Sequence, residues 1–398
     1  MFDKVFVEKA ARNIAGINNG SVSIDKIKGD ASNRSYYRIS FGQNKKTLIL
    51  MELAEPDTPT FSSPLLRGRE GRGSEEKVTV SAMPVTELPY INILNHLAKC
   101  NVSVPKLFLY EKERGLLFLE DLGDETLHER IERAGINPCM EYYKKAIDEL
   151  SKIHACATRI KDNGCIAFGR AFDTALLMWE FDHFIEYGIE DAKAMKIPDN
   201  DRKAIRDIFN SISEKLASEQ RVFTHRDFHS RNLMIHNDKI SVLDFQDALM
   251  GPCQYDLASL LRDSYIALPE DMIDELIDYY ISKRETTDKT IKNLHLPKEV
   301  ENNPPIPPLI KGGKGGLKAF SDKRRIDRKN FRELFDLMSI QRNLKAAGRF
   351  AYINSVKKNN FYLQFIPQTL GYVKKNLKKY SELNNLHELL GKYVEELR

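Results

Sequence analysis

The chain has 398 residues, 61 Lys+Arg against 57 Asp+Glu, and a formal net charge of +4. That length exceeds what one hydrophobic core usually serves, so two lobes are expected, and the near balance of charge excludes a nucleic-acid binder built on one large basic face. No run approaches the ~20 apolar residues of a membrane helix, the N-terminus lacks an h-region, and five scattered cysteines (Cys100, Cys139, Cys156, Cys165, Cys253) show neither C-x-x-C pairs nor metal spacing. A cytoplasmic protein with reduced thiols is expected, with no membrane and no nucleic-acid partner.

Residues 1–20 read as a helix closing on Gly16 and Gly20. From Ile27 to Ile39, small residues lie between two segments of strand character. Backbone N–H groups around Ser32 and Asn33, with Arg34 and Arg38 as cations, are candidates for meeting a polyphosphate, while an ordinary turn between strands fits the same residues. Thr47–Met51 is the next strand. Pro56–Val80 then turns rich in Pro, Gly, Ser and Arg, and its Pro64-Leu65-Leu66-Arg67-Gly68 returns in similar form as Pro308-Leu309-Ile310-Lys311-Gly312. Two distant copies do not make a stacking repeat, so both stretches, about 56–80 and 291–325, read as inserted mobile loops. Gly313-Lys314 is followed by Gly315 where a phosphate loop needs Ser or Thr.

Leu88, Ile91, Leu94 and Leu97 have helical spacing, and two strands follow. The second, Gly115–Gly123, is apolar until it reaches Glu120 and Asp121 and closes on Gly123. It is either a connector whose backbone at Glu120 and Leu122 meets a nucleobase or an edge strand ending in a turn. Ile147, Leu150 and Ile153 form a helical stripe beside which His154 reads as a structural, hydrogen-bonded histidine. Phe172–Gly188, around Trp179, reads mostly as packing, and Arg202–Ala217 as an amphipathic helix.

A short apolar strand then leads into His225-Arg226-Asp227-Phe228-His229-Ser230-Arg231-Asn232. A second leads into Asp244-Phe245-Gln246-Asp247, with a hairpin turn at His236-Asn237-Asp238 between them. An Asp followed five positions later by an Asn, with another Asp about a dozen further on, supplies what phosphoryl transfer needs: Asp227 as base, Asn232 and Asp244 as metal ligands. Mg²⁺ suits this oxygen set, because the nucleotide and water complete its shell. Any one of these acids alone reads as a turn residue; their ordered joint occurrence does not. Asp247 has a metal, substrate or structural reading, and His225 reads as a brace. His229 and Arg231 point toward an acceptor or lie packed. Asp256 either caps the helix that starts near it or bonds the loop. Helical segments at Leu276–Ile281, Phe331–Tyr352 and Leu370–Leu397 complete the chain.

On these motifs the chain resembles the aminoglycoside phosphotransferase/choline kinase-like branch of the protein-kinase fold. Within it, Gly29–Arg38, Leu119–Asp124, Tyr255–Tyr265 and Phe335–Lys345 are similar to the group of anomeric N-acetylmuramate/N-acetylglucosamine kinases. The resemblance implies an α+β, two-lobed fold, with a small β-rich nucleotide-binding lobe at 1–120 and a larger helical catalytic and substrate lobe at 121–398. It implies ATP and Mg²⁺ as cofactors and a small-molecule sugar substrate phosphorylated on its anomeric hydroxyl. It also implies a downstream nucleotidyltransferase as a neighbour in cell-wall sugar recycling. Asp263 and Arg342, within the matching segments, join His229 and Arg231 as substrate candidates. The lysine usual on the third strand is absent, since that strand ends Leu50-Met51-Glu52. Arg34 or Arg38 is therefore expected at the phosphates, and Glu87 stands as candidate for the neighbouring helix's glutamate. Two alternatives remain: an aminoglycoside- or choline-type kinase, which asks for an acidic pocket where Arg231, Arg262, Arg342 and Lys345 are cationic, and a non-catalytic kinase-fold binder.

Overall fold

The computed structural model of the protein describes residues 2–27, 34–54, 87–160, 162, 164–293 and 326–398. Ser32, Asn33, the stretch 56–80 and all but the start of the stretch 291–325 lie outside the described residues; 291–293 still belong to a helix.

Five antiparallel strands form the first sheet: β1 (Val22–Ile27), β2 (Ser35–Phe41), β3 (Asn44–Glu52), β4 (Leu107–Glu111) and β5 (Leu116–Glu120), in the order β1-β2-β3-β5-β4. The unbroken apolar runs of β3 and β5 follow from burial on both faces, because successive side chains point to opposite sides. Leu48, Leu50, Leu116 and Phe118 pack with Val7 and Ala11 of α1 (Lys4–Ala15). Met51, Leu117 and Leu119 join the core that holds Ile93 and Leu97 of α2 (Pro89–Lys99). α1 opens on Asp3, whose carboxylate accepts the Phe6 N–H, and closes on Gly16 at φ +68°, the left-handed cap that glycine adopts without strain.

The larger lobe is mostly helical: α3 (Leu127–Ala134), α4 (Met140–Lys152), α5 (Thr174–His183), α6 (Asp199–Ala217), α7 (Gln254–Leu261), α8 (Glu270–Asn293), α9 (Arg328–Lys357), α10 (Ile366–Lys379) and α11 (Asn384–Tyr393). Two small ladders sit within it. β6 (Arg221–Thr224) pairs with β9 (Leu249–Pro252), and β7 (Leu233–His236) with β8 (Lys239–Val242). The turn joining β7 to β8 carries Asn237 and Asp238 at φ +49° and +60°, the pair of left-handed residues a two-residue hairpin demands. Val242 N–H donates to the Ser103 carbonyl (2.7 Å), which docks this hairpin on the segment leaving α2.

Two features were not readable from periodicity. α4 and α5 run on into π-helical segments, Ile153–Ala157 and Phe184–Asp191, each widening a helix at a point that faces the lobe interior. The second is crossed by α9, a helix of 30 residues and so about 45 Å long. The crossing is at Gly348, where a Cβ would stand 2.7 Å from Phe184 Cα, so only glycine permits the approach.

Glu270, at the start of α8, gathers Arg262 in a two-pronged bond (2.5 and 2.9 Å), Arg332 of α9 (3.0 Å) and Lys375 of α10 (2.8 Å). Burial would raise its carboxyl, but Arg262 and Lys375 outweigh that and bring it from 4.5 to about 2. A pKa lowered by folding contributes stability that is present above the unfolded value and is lost as pH falls toward the folded one. Stability measured by urea unfolding is expected to decline between pH 4.5 and about 2. Glu270→Gln should lower stability at pH 7 and flatten that decline.

Candidate active site

The nested ladders set two loops side by side: 225–232 runs from β6 to β7, and 243–248 from β8 to β9. The first loop is held from beneath by α7. Fully buried Asp256 accepts the N–H groups of His225 (2.7 Å) and Arg226 (2.8 Å) and faces His154 Nε2 (3.1 Å), whose Nδ1 meets the Tyr280 hydroxyl (2.7 Å). Of the two readings for Asp256, the geometry is that of the loop anchor, and His154 belongs to the same buried network. Arg226 holds φ +81°, a conformation that costs a non-glycine residue roughly 1–3 kcal/mol and persists only where surroundings enforce it. Here Asp256 takes its N–H, while its buried guanidinium faces Glu180 (3.5 Å) and the Phe172 ring (5.6 Å to the centroid).

His225 joins the two loops. Its Nε2 donates to the Leu243 carbonyl (2.8 Å), which leaves Nδ1 to accept the Asp227 N–H (3.3 Å). At the other end of the first loop, the Ser230 N–H and hydroxyl both donate to Asp263 Oδ2 (3.0 and 2.5 Å), and the Tyr265 N–H donates to Oδ1 (2.9 Å).

Asp227 emerges from this frame with its side chain 37% exposed and Lys345 Nζ 3.8 Å from Oδ1. Burial would raise its carboxyl, but Lys345, Arg226, His229 and Arg342 together hold it well below the ordinary carboxylate range. Asn232 spends its amide nitrogen on the Asp227 carbonyl (2.9 Å), leaving Oδ1 as its free acceptor. Asp244 sits exposed at φ +61° and takes a bond from Gln246 Nε2 (2.7 Å). Asp247 is pushed up by burial, against the pull of Arg226. An amide oxygen and an exposed carboxylate on adjacent loops are hard donors of the kind Mg²⁺ accepts. Among the described residues no cluster of three His, Cys, Asp or Glu side chains forms a protein cage for a metal, and a phosphate-bridged Mg²⁺ needs none.

The other predicted residues fall into distinct places. Arg34 stands beside Tyr36, which also feels Asp244. Arg38 is committed elsewhere: it holds Asp121 (2.7 and 3.1 Å), Asp124 (2.5 Å) and the Gly123 carbonyl (3.1 Å), tying β2 to the connector after β5. The N–H of Glu120, the last residue of β5, goes to the Lys106 carbonyl (2.8 Å), and Leu122 of the connector is buried. Glu87 lies just before α2 and accepts from Asn92 (3.4 Å) and Asn95 (3.3 Å) of that helix, and Glu52 accepts from the Tyr37 hydroxyl (3.0 Å). His229 packs edge-on to Tyr265, and the Arg231 guanidinium lies over the same ring at 3.8 Å with Phe365 at 5.1 Å. Asp263 and Arg342 are buried, the former bonding Ser230 and the latter donating through Nε to Ser259 Oγ (2.5 Å). Arg262 faces Glu270, away from the loop. Neither Glu180 nor Arg349 was legible in the sequence; the one signal of Glu180 was a place in a largely apolar stretch, two residues before Asp182.

A five-stranded sheet covered by a helix on each face, a larger helical lobe, and an Asp/Asn loop abutting an Asp loop define a kinase-type phosphotransferase. Residues 23–290 match the phosphotransferase enzyme family, and the chain belongs to that family. Relatives include the N-acetylmuramate/N-acetylglucosamine kinase of Pseudomonas aeruginosa, 27% identical over 80% of this chain and 82% of that protein. The protein of the same name from Neisseria meningitidis is 28% identical over 74% and 76%. Among solved structures, choline kinase from Cryptosporidium parvum shares the fold at a TM-score of 0.55 and 11% identity, covering 96% of this chain and 98% of that one. A choline kinase from Streptococcus pneumoniae does so at 0.51 and 13%, covering 94% and 100%.

Asp256→Ala is expected to strand two loop N–H groups and an imidazole in a dry interior. A loss of about 3–5 kcal/mol, the cost of breaking a buried charged network, should appear in urea unfolding.

Proposed function

We propose that the chain transfers the γ-phosphoryl group of ATP to the anomeric hydroxyl of an N-acetylated amino sugar, N-acetylmuramate and/or N-acetylglucosamine. The observation that carries this reading is the convergence of Asp227, Asn232 and Asp244 on two loops braced against each other through His225. The names of the relatives supply the sugar.

In this reading Asp227 orients the acceptor hydroxyl and takes its proton. A weakly basic carboxylate suits that task, because phosphoryl transfer passes through a loose transition state that asks mainly for alignment and charge stabilisation. Asn232 Oδ1 and Asp244 would hold Mg²⁺, which when bound neutralises charge on the phosphates. Arg34 takes the place of the missing strand lysine toward the phosphates, since Arg38 is committed to Asp121 and Asp124. Ser32 and Asn33 would lie over the phosphates and the backbone at Glu120 and Leu122 against adenine. The reaction is cytoplasmic, and its sugar 1-phosphate product is the substrate class of a nucleotidyltransferase.

The test is to incubate the protein with Mg²⁺-ATP and N-acetylmuramate, N-acetylglucosamine, aminoglycosides or choline, and to locate the product phosphate by phosphorus NMR. Phosphate on the anomeric carbon of an amino sugar is expected; phosphate elsewhere, or on none of these acceptors, overturns the reading. Asp227→Asn should lower kcat by about 10²–10⁴-fold, as loss of a positioned base does, with the circular dichroism spectrum retained.

A further inference from the structure

Helix α9 presents Arg342, Lys345 and Arg349 at spacings of three and four, which puts them on one face. That face is turned toward Asp227. Lys345 Nζ is 3.8 Å from its carboxylate, and both Arg342 and Arg349 act on it or feel it electrostatically. Three cations thus stand along one helix face, and the carboxylate that Lys345 meets is one that a kinase must keep for its acceptor.

The ridge is under-compensated. Arg342 is 6% exposed, and its Nη1 is buried without a hydrogen-bond partner, although an unmatched buried guanidinium nitrogen is costly. Arg349 lies over the Tyr352 ring at 4.9 Å, and burial depresses its pKa with Tyr352 and Asp227 only partly offsetting it. Burial, Arg349 and Lys345 bring nearby His183 to about 4, so its imidazole is neutral at physiological pH and adds no further positive charge to the ridge.

The ridge is also fixed in place. The close approach at Gly348 seats this turn of α9 on the π-helical segment Phe184–Asp191. Lys345 and Arg349 are one turn apart, about 6 Å along the axis, which is comparable with the span of a pyranose ring. A sugar whose reacting hydroxyl lies at Asp227 beside Lys345 would bring a substituent on the far side of the ring to Arg349.

We infer that this ridge reads an acidic substituent on the acceptor: Arg349 pairs with a carboxylate carried on the sugar ring, Arg342 adding to the field from behind, and the site favours a carboxylate-bearing amino sugar over its neutral counterpart. The inference rests on the sugar-kinase reading above and extends it from reaction to specificity. A guanidinium is suited to the task because its planar fork matches a carboxylate with two parallel bonds.

The experiment compares kcat/KM for N-acetylmuramate, its methyl ester and N-acetylglucosamine. With the wild-type protein, esterification should raise KM about tenfold or more, bringing the ester close to N-acetylglucosamine; this arm does not depend on any variant folding. Arg349→Gln should lower the N-acetylmuramate to N-acetylglucosamine ratio of kcat/KM about tenfold, mainly through KM, and Arg349→Lys should recover part of it. An equal loss on both sugars would assign the ridge to the nucleotide phosphates and overturn the inference, as would an ester that matches the free acid. Wild-type protein that phosphorylates neutral N-acetylglucosamine while ignoring the charge on N-acetylmuramate would sink the inference and leave the sugar-kinase reading standing. Failure on all three sugars would remove both.

Discussion

The buried carboxylate of Asp256 is the interaction on which the larger lobe's architecture turns. A charge without solvent must be matched by hydrogen bonds, and Asp256 finds them in two successive backbone N–H groups of the loop and in His154. The loop is thereby bent into a conformation that Arg226 would not adopt alone. Seven residues on, Asp263 repeats the device at Ser230. The anchors hold the loop at 225–226 and at 230, with Asp227 between them and Asn232 just beyond the second. Rigid support of this kind suits the roles proposed for Asp227 and Asn232, because misplacement of a catalytic group by even about 1 Å costs large factors in rate.

A second constraint is the crossing of α9 with the π-helical segment after α5. Helix packing usually leaves 8–10 Å between axes, set by the side chains at the contact. At Gly348 there is no side chain, and the backbone of Phe184 fills the space. The close fit brings the cationic face of α9 to Asp227, while Glu270 ties the starts of α8 and α9 to α10 through Arg332 and Lys375. The stability of this lobe and the electrostatics of its site therefore share the same helices.

Much of the fold was legible because strong local signals agreed. Helical spacing in α2 and α6, apolar strands around β3 and β5, and the turn at Asn237-Asp238 all carry information within a few residues. The site was legible to the extent that its spacing is local: Asp227 and Asn232 share one loop, and Asp244 follows after one hairpin. What failed to show depends on partners distant in sequence. Arg38 looked like a phosphate-binding residue until Asp121, 83 positions later, came within 2.7 Å. Arg262 and Arg342 looked alike as cations near the acceptor, yet one faces Glu270 and the other Ser259. Arg349 gave no sign, since a lone arginine on a long helix is ordinarily a solvated residue.

The amino-acid sequence by itself determined the order of the elements, the two-lobed class and the trio of polar groups at the centre, because these are written in periodicity and in spacings of a few residues. Only the tertiary structure decided which of the many charged side chains are structural and which remain available. Asp256 became an anchor, Arg38 a clasp on the connector, and Arg342, Lys345 and Arg349 a ridge. The physical reason is that a charge acquires its role from burial and from the partner that meets it, and both are set by chain segments that come together only when the lobe has folded.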